Sequence, residues 1–312
     1  MTPPSRATTA GRNYLDLRKR ALADGRPVDE LFQLYVLECF LGRLAATSQA
    51  EHFVLKGGVL LAAFGERRPT RDIDFLAQDH DNDPAAVRSA IVKIAQFPLD
   101  DGVVFDHETT RVTRIRDEDA YPGVRVTMGT RLFSAKPQFH VDVNVGDPIT
   151  PSPVDVVIPR LLGGELTVRG YPLAMVFAEK TVTAIARGTA STRWRDFADI
   201  YLLARRHSLD GTQLSQSVRD VALHRGTELI PLSQVLVGYG EIGQRQWEAW
   251  RRRQLLEDRL PELLTDVLEA VARFADPAIT GAATGQSWLP EASQWTTTPT
   301  VGSSEEPPGP TG

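Results

Sequence analysis

Apolar positions recur at helical spacing across 28–47, VDELFQLYVLECFLGRLAAT, which predicts a helix packed on the core. Behind it come a short apolar strand at 53–55, a glycine turn, a helix at 59–64 and a strand at 72–76. A helix is expected at 84–95, and alternating segments at 103–105, 124–128 and 139–145 read as further strands. From Pro172 onward the period turns helical, most clearly at 173–187, 193–206 and 255–274. There is no internal repeat. The pattern therefore predicts an α/β half with N-terminal helices over 11–170 and a helical half over 171–276. Residues 1–10, and 277–312 with its TTTPT and EEPPGPTG stretches, have the Pro, Ser, Thr and Gly content of disordered ends.

Composition changes this picture little. At 312 residues, 42% hydrophobic and 24% charged, the chain can bury a sizeable core. With no charged leader followed by an apolar run, and no stretch near the roughly 20 apolar residues that cross a bilayer, it is expected to be soluble and cytoplasmic. The single cysteine, Cys39, lies in the apolar helical pattern and reads as a buried, inert thiol. The formal charge of −5 is unevenly placed: from Asp276 onward there are four acids and no Lys or Arg, so the remainder carries only −1. Overall charge thus excludes no nucleic-acid partner, and local basic clusters decide instead.

The chemistry concentrates in FVLKGGVLLAAFGERRPTRDIDFLA, 53–77. Strand periodicity projects Asp72 and Asp74 to one face while Ile73 and Phe75 go to the other. Two carboxylates held side by side repel, and a divalent cation relieves that cost. Magnesium suits the site because it takes oxygen ligands and bridges carboxylates to phosphates. Gly57 and Gly58 follow a strand and open a helix, where bare backbone N–H groups can approach a phosphate; a tight turn without a ligand is the plainer reading. Asp142, in FHVDVNVGD, lies opposite a valine stripe and is either a third ligand or part of a solvated strand face. Three such carboxylates suit a two-metal site.

A second cluster occupies the helical half, MVFAEKTVTAIARGTASTRWRDFADIYLLARR, 175–206. Lys180 sits amid apolar residues, where its ammonium needs an anionic partner. That partner is a triphosphate, or Asp196 or Asp199, which share a helical face.

In order and spacing, Lys56-Gly57-Gly58, Thr70-Arg71-Asp72-Ile73-Asp74-Phe75, Asp142, Lys180 and Arg195-Asp196-Phe197-Ala198-Asp199-Ile200 resemble the AbiEii/AbiGii nucleotidyltransferase toxins, including the MenT-type toxins of mycobacteria. The resemblance spans about 53–203. It implies an α/β (α+β) DNA polymerase β-like nucleotidyltransferase core with a mixed sheet, followed by a helical C-terminal domain. It also implies the toxin of a toxin–antitoxin pair, with a cognate AbiEi-like antitoxin encoded nearby. The implied activity is Mg2+-dependent transfer from a nucleoside triphosphate, often a pyrimidine one, to the tRNA 3′ end, blocking translation. By the same resemblance Asp72 and Asp74 match the metal-binding pair and Asp142 the third acidic position. Lys180 matches a phosphate-contacting lysine and Asp199 a second C-terminal catalytic position. Lys56, Gly57, Gly58, Thr70 and Asp196 join Lys180 on the nucleotide side. Thr70 stands where the family often has serine, and Gly58 where the wider superfamily usually has serine, which leaves backbone N–H groups and Lys56 to hold phosphate.

Two other readings stay open: a small-molecule nucleotidyltransferase, and a nucleotide-binding regulator without catalysis. A nucleic-acid surface separates the first from RNA modification. The candidate is Arg245, Arg251, Arg252, Arg253 and Arg259 with Trp247 and Trp250 interleaved, diluted by Glu248, Glu257 and Asp258; a solvated helix face is the plainer account of it.

Overall fold

A computed structural model describes residues 3–78, 83–115 and 123–297. Helices α1 (Thr9–Ala23) and α2 (Val28–Ala45) precede strand β1 (Phe53–Lys56), the short helix α3 (Gly57–Leu60) and strand β2 (Asp72–Ala77). Helix α4 (Pro84–Ala95) leads to strands β3 (Val103–Ile115), β4 (Gly123–Leu132), β5 (Gln138–Val145), β6 (Val154–Pro159) and β7 (Glu165–Gly170). These seven strands form one mixed sheet in the order β3-β4-β5-β2-β1-β7-β6. Within it β2 runs parallel to β5 and antiparallel to β1. Helix α2 is apolar on nearly every side and fully buried from Val36 to Leu37 and Cys39 to Leu41, so it lies under the sheet as a central rod. Its Phe40 meets Phe139 of β5 with ring centroids 4.8 Å apart, on the face that also buries Ile73, Phe75, Val141 and Val143. The opposite face of β2 and β5 is left for the carboxylates.

The helical part comprises α5 (Leu173–Arg187), α6 (Trp194–Ala204), α7 (Gly211–Arg225), α8 (Leu232–Val235), α9 (Tyr239–Arg253) and α10 (Leu264–Thr280). A second sheet joins β8 (Leu209–Asp210) to the hairpin β9 (Gln286–Leu289) and β10 (Gln294–Thr297). That hairpin corrects the expectation of a disordered end from 277. Pro277 lies inside α10, Trp288 is buried with its indole N–H donating to the Ala204 carbonyl, and Trp295 stacks on Phe274 at 5.8 Å. One indole per strand supplies the burial that the polar composition concealed. At the other end, Thr8 caps α1 by accepting from the Gly11 N–H, so order begins before residue 10. The remainder of the expected tail, 298–312, lies outside the described residues. The helix expected over 255–274 begins only at Leu264, because Leu255 takes a left-handed backbone after α9 and Pro261 interrupts the approach to α10. Among the described residues no helix is long and apolar enough to cross a membrane.

Candidate active site

Parallel pairing of β2 with β5 puts Asp74 directly beside Asp142, and antiparallel pairing with β1 puts Asp74 opposite Lys56. Alternation along β2 adds Asp72, and carboxylate oxygens from Asp72, Asp74 and Asp142 come within 4.8 Å of one another. Burial, then the charges of Asp72 and Asp142, push the Asp74 carboxyl up to about 7. Lys56 and Arg68 offset this repulsion only in part, and a hard divalent cation would neutralise the rest, so the residues fit one. Thr70 turns its hydroxyl to Asp72 Oδ1 at 3.3 Å and fixes that carboxylate's orientation.

The two glycines serve the same cluster. Gly57 has φ of 67°, and a Cβ there would stand 1.8 Å from Asp74 Oδ2; one at Gly58 would stand 2.7 Å from Thr70 Oγ1. Both residues must therefore be side-chain-free for the carboxylate and the hydroxyl to hold their places. Beside them Lys56 points its ammonium to Asp147 at 3.2 Å and Glu179 at 3.3 Å, and lies 5.7 Å from the Tyr171 ring. Burial works against its charge, but Glu179, Tyr171, Asp147 and Asp74 outweigh it and keep it protonated.

Lys180 and the C-terminal acids form a second layer, in which Lys180 Nζ of α5 reaches Asp196 at 3.0 Å and Asp199 at 2.6 Å on α6. Arg193 pairs with Asp196 at 2.5 Å and Arg68 with Asp199 at 3.2 Å. Burial raises the Asp196 carboxyl, yet Lys180 and Arg193 outweigh it and hold the group far below the usual carboxylate range. Lys180 and Asp196 line the cleft over the carboxylates together with Lys56, Gly57, Gly58 and Thr70, whereas Asp199 stands behind its wall.

Several participants escaped the sequence reading. Arg125 of β4 is the cross-strand partner of Asp142 and grips both its oxygens, at 2.7 and 2.6 Å, with Asp72 3.7 Å away. The alternation Val124, Arg125, Val126 gave a signal for it, since it places Arg125 on the carboxylate face. Asp147, Glu179 and Arg225 also line the cleft; Arg225 pairs with Glu179 at 3.4 Å. The arginine and tryptophan segment is only partly a surface. Trp247 is fully buried and stacked on Trp250, Arg251 donates to the Leu260 carbonyl, and Arg259 pairs with Glu66. Arg245, Arg252 and Arg253 stay exposed, with Arg252 3.7 Å from Glu257.

Paired strand carboxylates, a third beside them and a cleft that sets lysines, arginines and a Gly-Gly turn over them are the arrangement of a nucleotidyltransferase. The sequence matches the family described as Nucleotidyl transferase AbiEii toxin, Type IV TA system, over residues 39–274, and the chain belongs to that family. It is a nucleotidyltransferase of a toxin–antitoxin system. Among solved structures it is similar to a proposed nucleotidyltransferase from H. pylori, at 15% identity and TM-score 0.42 over 81% of this chain and 92% of that one. It is also similar to JHP933 from Helicobacter pylori, at 16% identity and TM-score 0.42 over 81% of this chain and 90% of that one. No curated protein matches it.

Proposed function

We propose that the chain transfers a nucleotide from a nucleoside triphosphate to the 3′ end of tRNA, with magnesium held by Asp72, Asp74 and Asp142, and so blocks translation until its antitoxin intervenes. The observation that carries this reading is the raised Asp74 carboxyl within a cluster whose oxygens lie within 4.8 Å, beside a cleft lined by Lys56, Lys180 and Arg195. Magnesium, when bound, supplies positive charge to the α-phosphate and to the departing pyrophosphate. The acceptor hydroxyl gives its proton to a carboxylate of the cluster and bonds to the α-phosphorus as the bond from that phosphorus to the α,β-bridging oxygen breaks and pyrophosphate departs.

The protein's own groups set up that exchange. Thr70 orients Asp72, and Gly57 lets Asp74 stand close to the turn. Lys56 and the exposed guanidinium of Arg195 meet triphosphate charge. Lys180 and Asp196 shape the wall, and Asp199 acts as a positioning residue through Lys180 and Arg68. Arg125 neutralises Asp142 and sets the orientation of its carboxylate beside Asp74.

The test is incubation of the purified protein with total RNA, magnesium and each α-labelled nucleoside triphosphate in turn. Label should enter tRNA, most strongly from a pyrimidine nucleotide, and expression alone should arrest bacterial growth. The Asp74→Ala protein should do neither. A variant equally toxic to cells would make the protein a binding toxin rather than an enzyme.

A further inference from the structure

A second cleft adjoins the first and is much roomier, about 820 Å³ against about 190 Å³. The two share Arg68, Thr70, Asp72 and Arg195, so they meet at the metal-binding edge. Its floor is stitched by Gln33 of α2, whose side-chain amide donates to the Arg71 carbonyl at 3.0 Å and the Gln138 carbonyl at 2.6 Å. That ties the residue before β2 to the start of β5.

Its charge is mixed but leans positive: Asp29 is an exposed acid at its edge, Glu30 is taken by Arg26 at 2.7 Å and Arg68 by Asp199. Arg71, Lys136 and Arg195 are exposed, and none has an ion pair among the described residues. Trp250 lines the same cleft, half-buried, with its ring stacked 5.4 Å from Trp247. Uncommitted cations sharing a cleft with a braced indole are suited to phosphates and a stacked base.

We infer that this second cleft holds the 3′ end of a single-stranded polynucleotide, with Arg71 and Lys136 on its phosphates and Trp250 against a base, delivering the terminal hydroxyl past Arg195 to Asp72. The inference rests on the reading of the carboxylate cleft as the transfer centre, and that reading takes the strand to be RNA. It moves the RNA surface from the arginine and tryptophan segment 245–259 to this cleft and keeps only Trp250 of that segment, since Arg251 and Arg259 are committed to the fold. The triphosphate enters by one cleft and the acceptor by the other, which lets both substrates reach the carboxylates without crossing.

The experiment measures affinity for a 3′-hydroxyl RNA oligonucleotide, and for the DNA of the same sequence, against salt. The proteins are the wild type, Arg71→Ala/Lys136→Ala and Trp250→Ala, with nucleoside triphosphate affinity and circular dichroism measured on each. The double variant should lower the salt slope by about 1.4, from about 0.7 for each lost single-strand contact. Trp250→Ala should weaken binding roughly tenfold, the loss of one stacked base. Triphosphate affinity should stay at the wild-type value. Since Arg71 and Lys136 are exposed, the double variant keeps the test sound if Trp250→Ala fails to fold. Binding of DNA as well as RNA supports the strand assignment. Label transferred to RNA with slope and affinity unchanged in the double variant overturns the inference and leaves the transfer reading standing. Salt-dependent binding that the variants abolish, with no label transferred to any RNA, supports the cleft assignment and defeats the transfer reading. Label appearing in protein instead of polynucleotide overturns the inference.

Discussion

Replacing Lys180 by methionine separates its two possible roles. The ammonium lies between Asp196 and Asp199, both nearly inaccessible, and ties α5 to α6. Breaking a buried pair from one side costs about 3–5 kcal/mol, because a charge is left without its partner. Here each carboxylate keeps one cation, Arg193 at 2.5 Å for Asp196 and Arg68 at 3.2 Å for Asp199. We therefore expect about half that loss, roughly 2 kcal/mol, or a fall of about 3 °C in Tm. The pH dependence follows from the depressed Asp196 carboxyl. A carboxyl held low in the fold contributes stability that is whole above the unfolded value near 4 and is lost as pH falls through the folded value. The gap between wild type and Lys180→Met should thus hold from about pH 8 to about pH 5 and close only in acid. Adding Asp199→Asn to Lys180→Met should recover part of the loss, since one unmatched charge is removed. Differential scanning fluorimetry across that pH range, with triphosphate titrations alongside, measures all of this. A Lys180→Met protein as stable as wild type but deficient in triphosphate binding would refute the network and make Lys180 a phosphate ligand alone.

Asp72→Ala or Asp74→Ala should cut nucleotide transfer by at least about 100-fold while the fold survives, since each removes a metal donor and also a repulsion; transfer assays with thermal melts check this. In chelator the wild type should lose stability as pH rises, because the Asp74 carboxyl is raised to about 7 in the fold and its contribution is gone above that value. Asp74→Asn should be the more stable protein at pH 8, and magnesium should cancel the difference; melts with and without the ion decide it. Gly57→Ala should cost about 1–3 kcal/mol for its left-handed backbone and a larger share of activity, since its methyl would collide with Asp74. Equal loss of stability and of activity in refolding and transfer assays would deny that local collision.

Asp72 and Asp74 were legible because a strand's two-residue period needs no tertiary knowledge, and Lys56-Gly57-Gly58 because glycines mark a turn. What Lys180 touches was not legible. An isolated lysine among apolar residues requires an anion, but only the packing of α5 against α6 shows that Asp196 and Asp199 both reach it. Arg125 needed the register of β4 on β5, which alternation alone leaves open. The hairpin β6–β7 was readable in principle from the Val154, Val156, Ile158 alternation ending at Gly163-Gly164, and was missed beside the stronger helical signals. Composition misled at the C-terminus, where β9 and β10 are polar except for Leu289 and the two indoles that hold them. It misled again along α9, where Trp247 is core rather than a stacking platform. Composition records residue types, and burial depends on where a few large rings land.

The claim at the centre of this account is that Asp72 and Asp74 hold a divalent ion for the nucleotide. It is tested most directly by titrating Mn2+ into the protein with a nucleoside triphosphate present and reading bound ion by electron paramagnetic resonance. Wild-type protein should take up the ion, and Asp72→Asn and Asp74→Asn should each lose that uptake at the same nucleotide concentration. Unchanged Mn2+ uptake by both variants would contradict the claim.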